Sequence, residues 1–590
     1  AAPTNAAPTN AAPTNAAPTN AAPTNAAPTD AALTSKRAAY ALAAAGGVVA
    51  GLATPPTDIY PAMFVGLGLF AAALRLVVVA GRRPWVTGFM VGWLWAVGGG
   101  LVGLRFVPRV IVRFTDLGPG VSWAAHLGLA AAQALPWGLG AMAAALVMTR
   151  LRASLPLAFA GAVLVALSLP TVFLWSPAGL LSEWTSLVQA ASLIGERGVS
   201  ALFAVASGLG AHAAAAGWRR WWRGARKSGI AAVAGPLVGA GSILLALVGF
   251  GRARVPEVAP SRPGATTTRM ALIHAAVAPE RRWQPDQRAG ILAELRRQTS
   301  RAEAEGVALS VWPEAAYPHA LPHVARRAPR GPQRIVGGDV RGPVLFGYIA
   351  RAPVVRRGDG TREQNRFNAA TIVDRRGRLQ PSYDKVRLLW FGEMVPLGDV
   401  FPRLRRWFHR SGSIIPGKAI RPLHLPSPDG DARALHLGIL NCYEDTLPDY
   451  GRRLFRATEP DILINVTNDA WFDGTAAPEL HHRLAVMRAL ELGRDMVRAV
   501  NLGVTSFIDA YGRVRLRRDD PTPGYVVATP ERRDATTLYA RAGDRPFWLG
   551  WCLALVVDVI RRRRRRRARP TAGEGGSPRS GAPATGRSSR

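Results

Sequence analysis

The chain is almost free of cysteine: two residues in 590, Cys442 and Cys552. That excludes a disulfide framework and leaves Cys442 as a free thiol. Acidic residues are scarce as well, 39 Asp and Glu against 74 Lys and Arg, for a formal charge of +35. An excess of this size invites a nucleic-acid reading. Yet the arginines are concentrated in clusters, one at Arg561–Arg567 and another at Arg219, Arg220, Arg223, Arg226 and Lys227. Both groups abut long apolar runs. Basic residues so placed hold loops on the cytoplasmic side of a membrane and meet anionic lipid, so no nucleic-acid partner is expected.

The N-terminus lacks apolar periodicity altogether. It is six copies of a five-residue unit, Ala-Ala-Pro-Thr-Asn, the last ending in Asp30. Such a segment cannot bury enough apolar surface to order itself. It also lacks the basic stretch and apolar core of a signal peptide. Residues 1–32 are therefore read as a disordered tail.

Residues 33–255 read as a helical membrane domain of about seven spans: 38–54, 60–80, 86–107, 121–149, 155–175, 196–216 and 229–250. Most reach the ~20 residues that a bilayer helix requires. The loops after spans two, four and six carry Arg82 and Arg83, Arg150 and Arg152, and the 219–227 cluster, whereas those after spans one and five carry no basic residue. Arg109 and Arg113, after span three, break the pattern. By the positive-inside rule the even-numbered loops are cytoplasmic, which puts the chain beyond the seventh span on the outer side. A Pro- and Arg-rich linker at 256–268 then leads to a mixed globular domain at 269–536. Residues 537–560 form a last span, and 561–590 a basic cytoplasmic tail.

Within 269–536, strand-like runs at 270–274, 307–312, 334–338, 368–374, 435–441 and 461–466 alternate with helical stretches at 286–305, 449–457 and 479–496. Interleaving of this kind predicts an α/β domain with its strands buried on both faces. Cys442 falls at the end of the fifth run, beside Tyr443 and Glu444. Glu314, in Trp312-Pro-Glu-Ala315, and Lys385, in Tyr383-Asp-Lys-Val386, stand in similarly apolar settings. A free buried cysteine is commonly just a small core residue. A carboxylate, an amine and a thiol at strand ends are also the parts of a covalent acyl-transfer site. His481 and His482 raise a metal reading, but no acidic or cysteine ligands recur near them at ligand spacing, so no metal is expected.

Trp312-Pro-Glu-Ala315, Tyr383-Asp-Lys-Val386, Phe391-Gly-Glu-Met-Val-Pro396 and Asn441-Cys-Tyr-Glu444 resemble, in order, the motifs of the nitrilase superfamily. With the flanking spans the chain resembles the apolipoprotein N-acyltransferases. Asn465-Val-Thr-Asn-Asp-Ala-Trp-Phe472, Met487-Arg-Ala-Leu-Glu-Leu-Gly-Arg494 and Arg498-Ala-Val-Asn-Leu-Gly-Val-Thr505 strengthen the likeness. The resemblance implies a multi-span helical membrane domain joined to an α-β-β-α sandwich. It also implies a ping-pong reaction without cofactor: a phospholipid acylates Cys442, and the N-terminal amine of a diacylglyceryl-cysteine apolipoprotein takes the acyl group. Glu314 then serves as base and Lys385 stabilises the oxyanion. Glu393 either orients Lys385 or forms a structural ion pair. Tyr443 and Glu444 serve site architecture or amine binding. Trp283 contacts substrate or packs in the core, and Trp471 belongs to the supporting motif. The implied location is the bacterial cytoplasmic (inner) membrane.

The run Leu388-Leu-Trp-Phe391 is either core or a loop dipping among acyl chains. Within it Leu388-Leu-Trp390 stands where many members of the family have Leu-Val-Pro, and Phe367-Asn-Ala-Ala370 replaces a more usual Tyr-Asn-Ser. Two other functions keep the same residues: a membrane-anchored amidohydrolase with water as acceptor, and an inactive scaffold.

Overall fold

A computed structural model describes residues 30–80, 83–222, 230–255, 266–282, 284–356, 362–395, 400–401, 403, 414–426 and 433–567. The membrane part is a bundle of helices Asp30–Gly51, Pro61–Ala80, Pro84–Gly103, Pro119–Gln133 continuing through Leu135–Leu146, Leu155–Ser168, Ala191–Trp222 and Ala231–Arg254. Among the described residues, five helical stretches are long and apolar enough to cross a membrane: Pro61–Val78, Pro84–Gly103, Pro119–Leu151, Ala191–Trp221 and Ala231–Arg254.

Each of the seven expected spans contains a helix, but the bounds differ. The fifth stops at Ser168 instead of running to 175, because Leu169 precedes Pro170 and the clash with the proline ring disfavours helix there. The repeat lies outside the described residues up to 29, and its last residue, Asp30, already opens a helix. The expected linker overlaps the next domain, since Thr268 N donates to Pro530 O at 3.1 Å. The final helix, Arg545–Arg567, carries the arginine run as helix beyond the expected end at 560.

Arg109 and Arg113, which break the loop-charge pattern, sit on a short helix, Val107–Phe114. Arg109 donates to the Gly474 carbonyl at 2.7 Å and Arg113 to Glu280 at 2.8 Å. Their charge fastens the membrane part to the second domain. That is a local use, which the statistical rule does not address.

The second domain consists of two sheets packed face to face. One has the strand order Gly524–Ala528, Met270–His274, Leu309–Val311, Val344–Arg351, Arg366–Val373 and Tyr383–Asp384, with Leu321–Pro322 paired beside Val344–Arg351. The other runs Val514–Arg518, Thr505–Ile508, Met496–Asn501, Ile462–Asn468, Leu435–Asn441 and Leu423–Leu425. Side-chain alternation sorts the core. Met270 and Leu272 meet Leu437, Ile439, Ile464 and Val466 between the sheets, whereas Ala271 and Ile273 face Ile291, Leu292 and Leu295 of helix Arg288–Ala304. On the opposite side, Leu440 and Leu463 pack under helices Pro448–Thr458 and Ala477–Leu492. Burial on both faces explains the nearly continuous apolar runs, and a Leu437→Ala cavity between the sheets would cost about 2–5 kcal/mol.

The result is the α-β-β-α sandwich. Two expectations fail locally. Residues 334–338 form a turn around Gly337 and Gly338, and the strand lies at Val344–Arg351 instead. The helix expected to reach 496 ends at Leu492, where Gly493 takes a φ of +62°.

Candidate active site

Three groups of the site follow the C-terminal end of a strand. Glu314 comes just after Leu309–Val311, Lys385 directly after Tyr383–Asp384, and Cys442 directly after Leu435–Asn441. Cys442 has a φ of +52° and opens the short turn Cys442–Thr446. A non-glycine residue in this left-handed region is strained, and the surrounding structure must hold it there.

Glu444 provides that hold. Its carboxylate accepts from the backbone N–H groups of Asn441, Val386 and Arg387 at 2.8, 2.8 and 2.9 Å, and from the Tyr383 hydroxyl. Four donors consume its oxygens, so Glu444 is an internal brace between the Cys442 turn and the Lys385 loop. Burial pushes its carboxyl up to about 7 against the pull of those donors.

Lys385 is 2% exposed. Its ammonium lies 2.8 Å from Glu393 Oε2 and 3.1 Å from Glu314 Oε1. Burial alone would lower its pKa, but Glu314 and Glu393 outweigh it and hold the amine well above its usual range. Asn368, to which the sequence motifs assign no role, ties the carboxylates together: its Nδ2 donates to Glu314 Oε1 at 2.6 Å and to Glu393 Oε1 at 2.8 Å. Glu314 Oε2 accepts from the Asn468 N–H at 3.0 Å. The Glu314 loop can sit this close to the sheet because of Gly347, where a Cβ would come 2.4 Å from Ala315 N and 2.5 Å from Pro313 O. Burial and the Glu314, Asp469 and Glu393 carboxylates raise the Cys442 thiol well above its usual range, with Lys385 acting in the opposite direction.

The expected residues Glu314, Lys385, Glu393, Cys442 and Glu444 thus converge, and Tyr443 lies half-buried beside the thiol. Trp283 lies outside the described residues. Trp471 packs on Phe114 of the membrane part, with ring centroids 4.5 Å apart. In the 388–391 run Leu388 is buried, whereas Trp390 is 43% exposed.

Three residues that sequence reasoning leaves apart meet beside the thiol. His481 Nδ1 lies 2.8 Å from Asp469 Oδ1, and its Nε2 lies 2.7 Å from Asp445 Oδ1. Asp445 is also paired with the fully buried Arg498. Cys442, Asp469 and His481 each place a potential ligand atom within 4.8 Å of the others. The convergence contradicts the spacing rule, because the ligand types do meet in space. Both ring nitrogens of His481 nevertheless face carboxylates, which leaves the ring no lone pair for a metal.

A buried carboxylate, amine and thiol at the strand ends of an α-β-β-α sandwich define a carbon-nitrogen hydrolase domain carried on membrane helices. The carbon-nitrogen hydrolase family profile matches residues 269–538, and the profile of the apolipoprotein N-acyltransferase N-terminal domain matches residues 46–209. The apolipoprotein N-acyltransferase of Allorhizobium ampelinum is 30% identical over 88% of this chain and 95% of its own length. Those of Geobacter metallireducens and Rhodopseudomonas palustris are each 28% identical, over 89% and 90% of this chain and 95% and 96% of their own. Among solved structures, an amidase of the nitrilase superfamily from Nesterenkonia AN1 is similar at 18% identity and a TM-score of 0.32, over 50% of this chain and 100% of that one.

The chain belongs to the apolipoprotein N-acyltransferase family. It is an acyltransferase and a membrane protein.

Proposed function

We propose that this chain takes an acyl group from a phospholipid onto Cys442 and passes it to the N-terminal amine of a diacylglyceryl-cysteine apolipoprotein. The observation that carries the reading is the Lys385 ammonium, buried between Glu314 and Glu393 beside a strained thiol.

With its pKa raised, the thiol rests protonated. Deprotonation therefore accompanies attack: Glu314 takes the proton as the S–C bond to the ester carbonyl forms. Lys385, with a backbone N–H beside the nucleophile, stabilises the oxyanion. The C–O bond then breaks, Glu314 protonates the leaving oxygen, and a lysophospholipid departs from the thioester. Glu393 keeps Lys385 charged and aimed, and Glu444 maintains the Cys442 turn. Exposed Trp390 and Met394, paired with each other in the loop that follows Lys385, offer an apolar surface suited to an acyl chain. The distribution of basic residues supports a cytoplasmic-membrane location with residues 269–536 outside and the C-terminus inside.

The test uses full-length protein in vesicles containing labelled phosphatidylethanolamine. A labelled thioester on Cys442, discharged by a diacylated lipopeptide amine, is the expected result. Label lost equally fast to water alone would mean an amidohydrolase, and no thioester at all would mean a scaffold.

A further inference from the structure

The carboxylate of Asp469 is fully buried, and its Oδ2 has no hydrogen-bond partner among the described residues. An acceptor left unsatisfied in a dry site is costly unless something else fills it. Its surroundings are constructed to keep it so. Asp469 begins the turn after strand Ile462–Asn468, and Oδ1 is occupied by His481 at 2.8 Å. The ring is fixed from its other side by Asp445, itself paired with Arg498. With a carboxylate on each nitrogen the ring is an imidazolium, and the flanking charges hold it charged up to about pH 10 despite its burial. Asp445 with Arg498 and Asp469 with His481 are neutral as a set, and among the described residues Oδ2 is the carboxylate oxygen of that set left without a donor. Gly503, at a φ of +154°, packs against it, and a Cβ there would come 2.7 Å from Oδ2. A carboxylate oxygen of Asp469 lies within 4.8 Å of the Cys442 sulfur.

We infer that Asp469 is the binding site for the ammonium group of the acyl acceptor, with His481 as the positioning residue that fixes its carboxylate. The inference rests on the acyl-transfer reading above and assigns it a separate acceptor subsite. An ammonium held on the Asp469 carboxylate would stand next to the acylated sulfur, since one of its oxygens lies within 4.8 Å of that atom. A primary ammonium fits better than a metal, because His481 has no lone pair to offer.

In the transfer step the ammonium gives one proton by way of Asp469 to solvent and becomes an amine. Its nitrogen attacks the thioester carbon, so that a C–N bond forms and the C–S bond breaks. A second proton passes from nitrogen through Glu314 to the departing sulfur, which restores the thiol. Phospholipid carries no such ammonium at its reacting ester, so Asp469 acts in the second half-reaction.

The experiment compares discharge of Cys442 already loaded with labelled acyl group, so the loading rate does not enter. Wild type and Asp469→Asn are each challenged with a diacylated lipopeptide bearing a free α-amine, and separately with hydroxylamine, which is uncharged at neutral pH. Removing a buried charge-assisted contact of about 1.5–3 kcal/mol slows discharge by lipopeptide roughly tenfold to a hundredfold. Discharge by hydroxylamine stays within about threefold. Parallel loss with both nucleophiles, or with neither, overturns the assignment.

A second measurement needs no change at Asp469. Cys442→Ala protein should bind the amine lipopeptide at least tenfold more tightly than an analogue with hydroxyl in place of the amine, and equal affinity overturns the subsite. Absence of any thioester on wild type would sink the acyl-transfer reading instead, while the binding preference would still judge Asp469.

Discussion

The membrane part and the catalytic domain are joined by buried charge, and one substitution tests how much that join contributes. The helix Ala191–Trp222 kinks at Gly195, where φ is +73° and ψ is +169°. The kink frees the Glu196 N–H to donate to Glu491 Oε1 at 2.6 Å. Arg488, with no exposed surface, pairs with Glu196 and lies 3.1 Å from Glu491 Oε2. Next to it, Arg197 reaches Asp449 at 2.7 Å and Asp544 at 2.6 Å.

Arg488→Met would keep much of the volume but leave two carboxylates buried together. Removing one partner of a buried pair costs about 3–5 kcal/mol. For a domain of this size that is roughly 10 °C in the apparent melting temperature. The loss must also depend on pH. Burial raises the Glu491 carboxyl to about 8 from an ordinary 4.5 even with Arg488 present. The folded state therefore holds this proton more tightly than the unfolded chain. The contribution to stability is full below about pH 4.5 and is lost as pH rises towards 8. Without Arg488 that loss steepens, and the deficit relative to wild type is larger at pH 9 than at pH 5.

Thermal melting of detergent-solubilised protein across that range reads both effects. Arg488→Met/Glu196→Gln should recover at least half of the deficit, because the surplus charge is gone. A shift below about 2 °C with no change in pH slope would refute the claim that this cluster holds the two parts together.

Glu393→Gln keeps a polar side chain against Asn368 but removes a charge from Lys385. Steady-state acyl transfer should fall roughly tenfold to a hundredfold, the value of one charge-assisted hydrogen bond. A change under threefold would make Glu393 a bystander. Cys442→Ala should abolish the mass shift of the acyl-enzyme, whereas Cys552→Ala, on the exposed face of the last helix, should leave it intact. Trp390→Ala should raise KM for vesicle phospholipid several-fold and leave kcat nearly unchanged, because an exposed aromatic beside the site serves binding more than chemistry. Equal loss in both parameters would place Trp390 in the chemical step. Arg113→Ala should lower stability by under about 1 kcal/mol, since its partner Glu280 is largely solvated. A loss comparable to that of Arg488→Met would show that exposure does not distinguish these fastenings.

The strands readable in the sequence are those whose runs are mostly apolar and buried, such as Leu435–Asn441 and Ile462–Asn468. Two of the missed or shifted strands each contain a residue that local rules count against a strand. Val344–Arg351 has Gly347 at its centre, a position that gives space to the Glu314 loop and not to the strand's own pairing. Met496–Asn501 has Arg498, fully buried and matched to Asp445 on another strand end. Its charge is satisfied by a contact 53 residues away, which no window along the chain can register. The fifth span is overextended in the sequence reading for the opposite reason: its composition stays apolar past Ser168, and only the backbone constraint at Pro170 ends the helix.

The candidate site divides along the same line. Glu314, Lys385 and Cys442 are legible because each sits in a recognisable motif immediately after its strand. Asn368, Asp445, Asp469 and His481 belong to different strands, turns and a helix, and only the packing of the second sheet brings the last three together. A search for metal ligands at close spacing looks for chelation by one segment. In this chain His481 is 12 residues from Asp469 and 36 from Asp445, and its charge serves the carboxylate next to it. Glu444 shows the converse. Its place beside the nucleophile is compatible with both architecture and amine binding, but four donors on its oxygens leave it no capacity for a substrate amine. Beside the thiol, among the described residues, the carboxylate with an oxygen left without a donor is Asp469, one strand over. If an acceptor amine is recognised by charge in this site, the cost of an unfilled buried acceptor puts it there and not at the residue adjacent to the thiol.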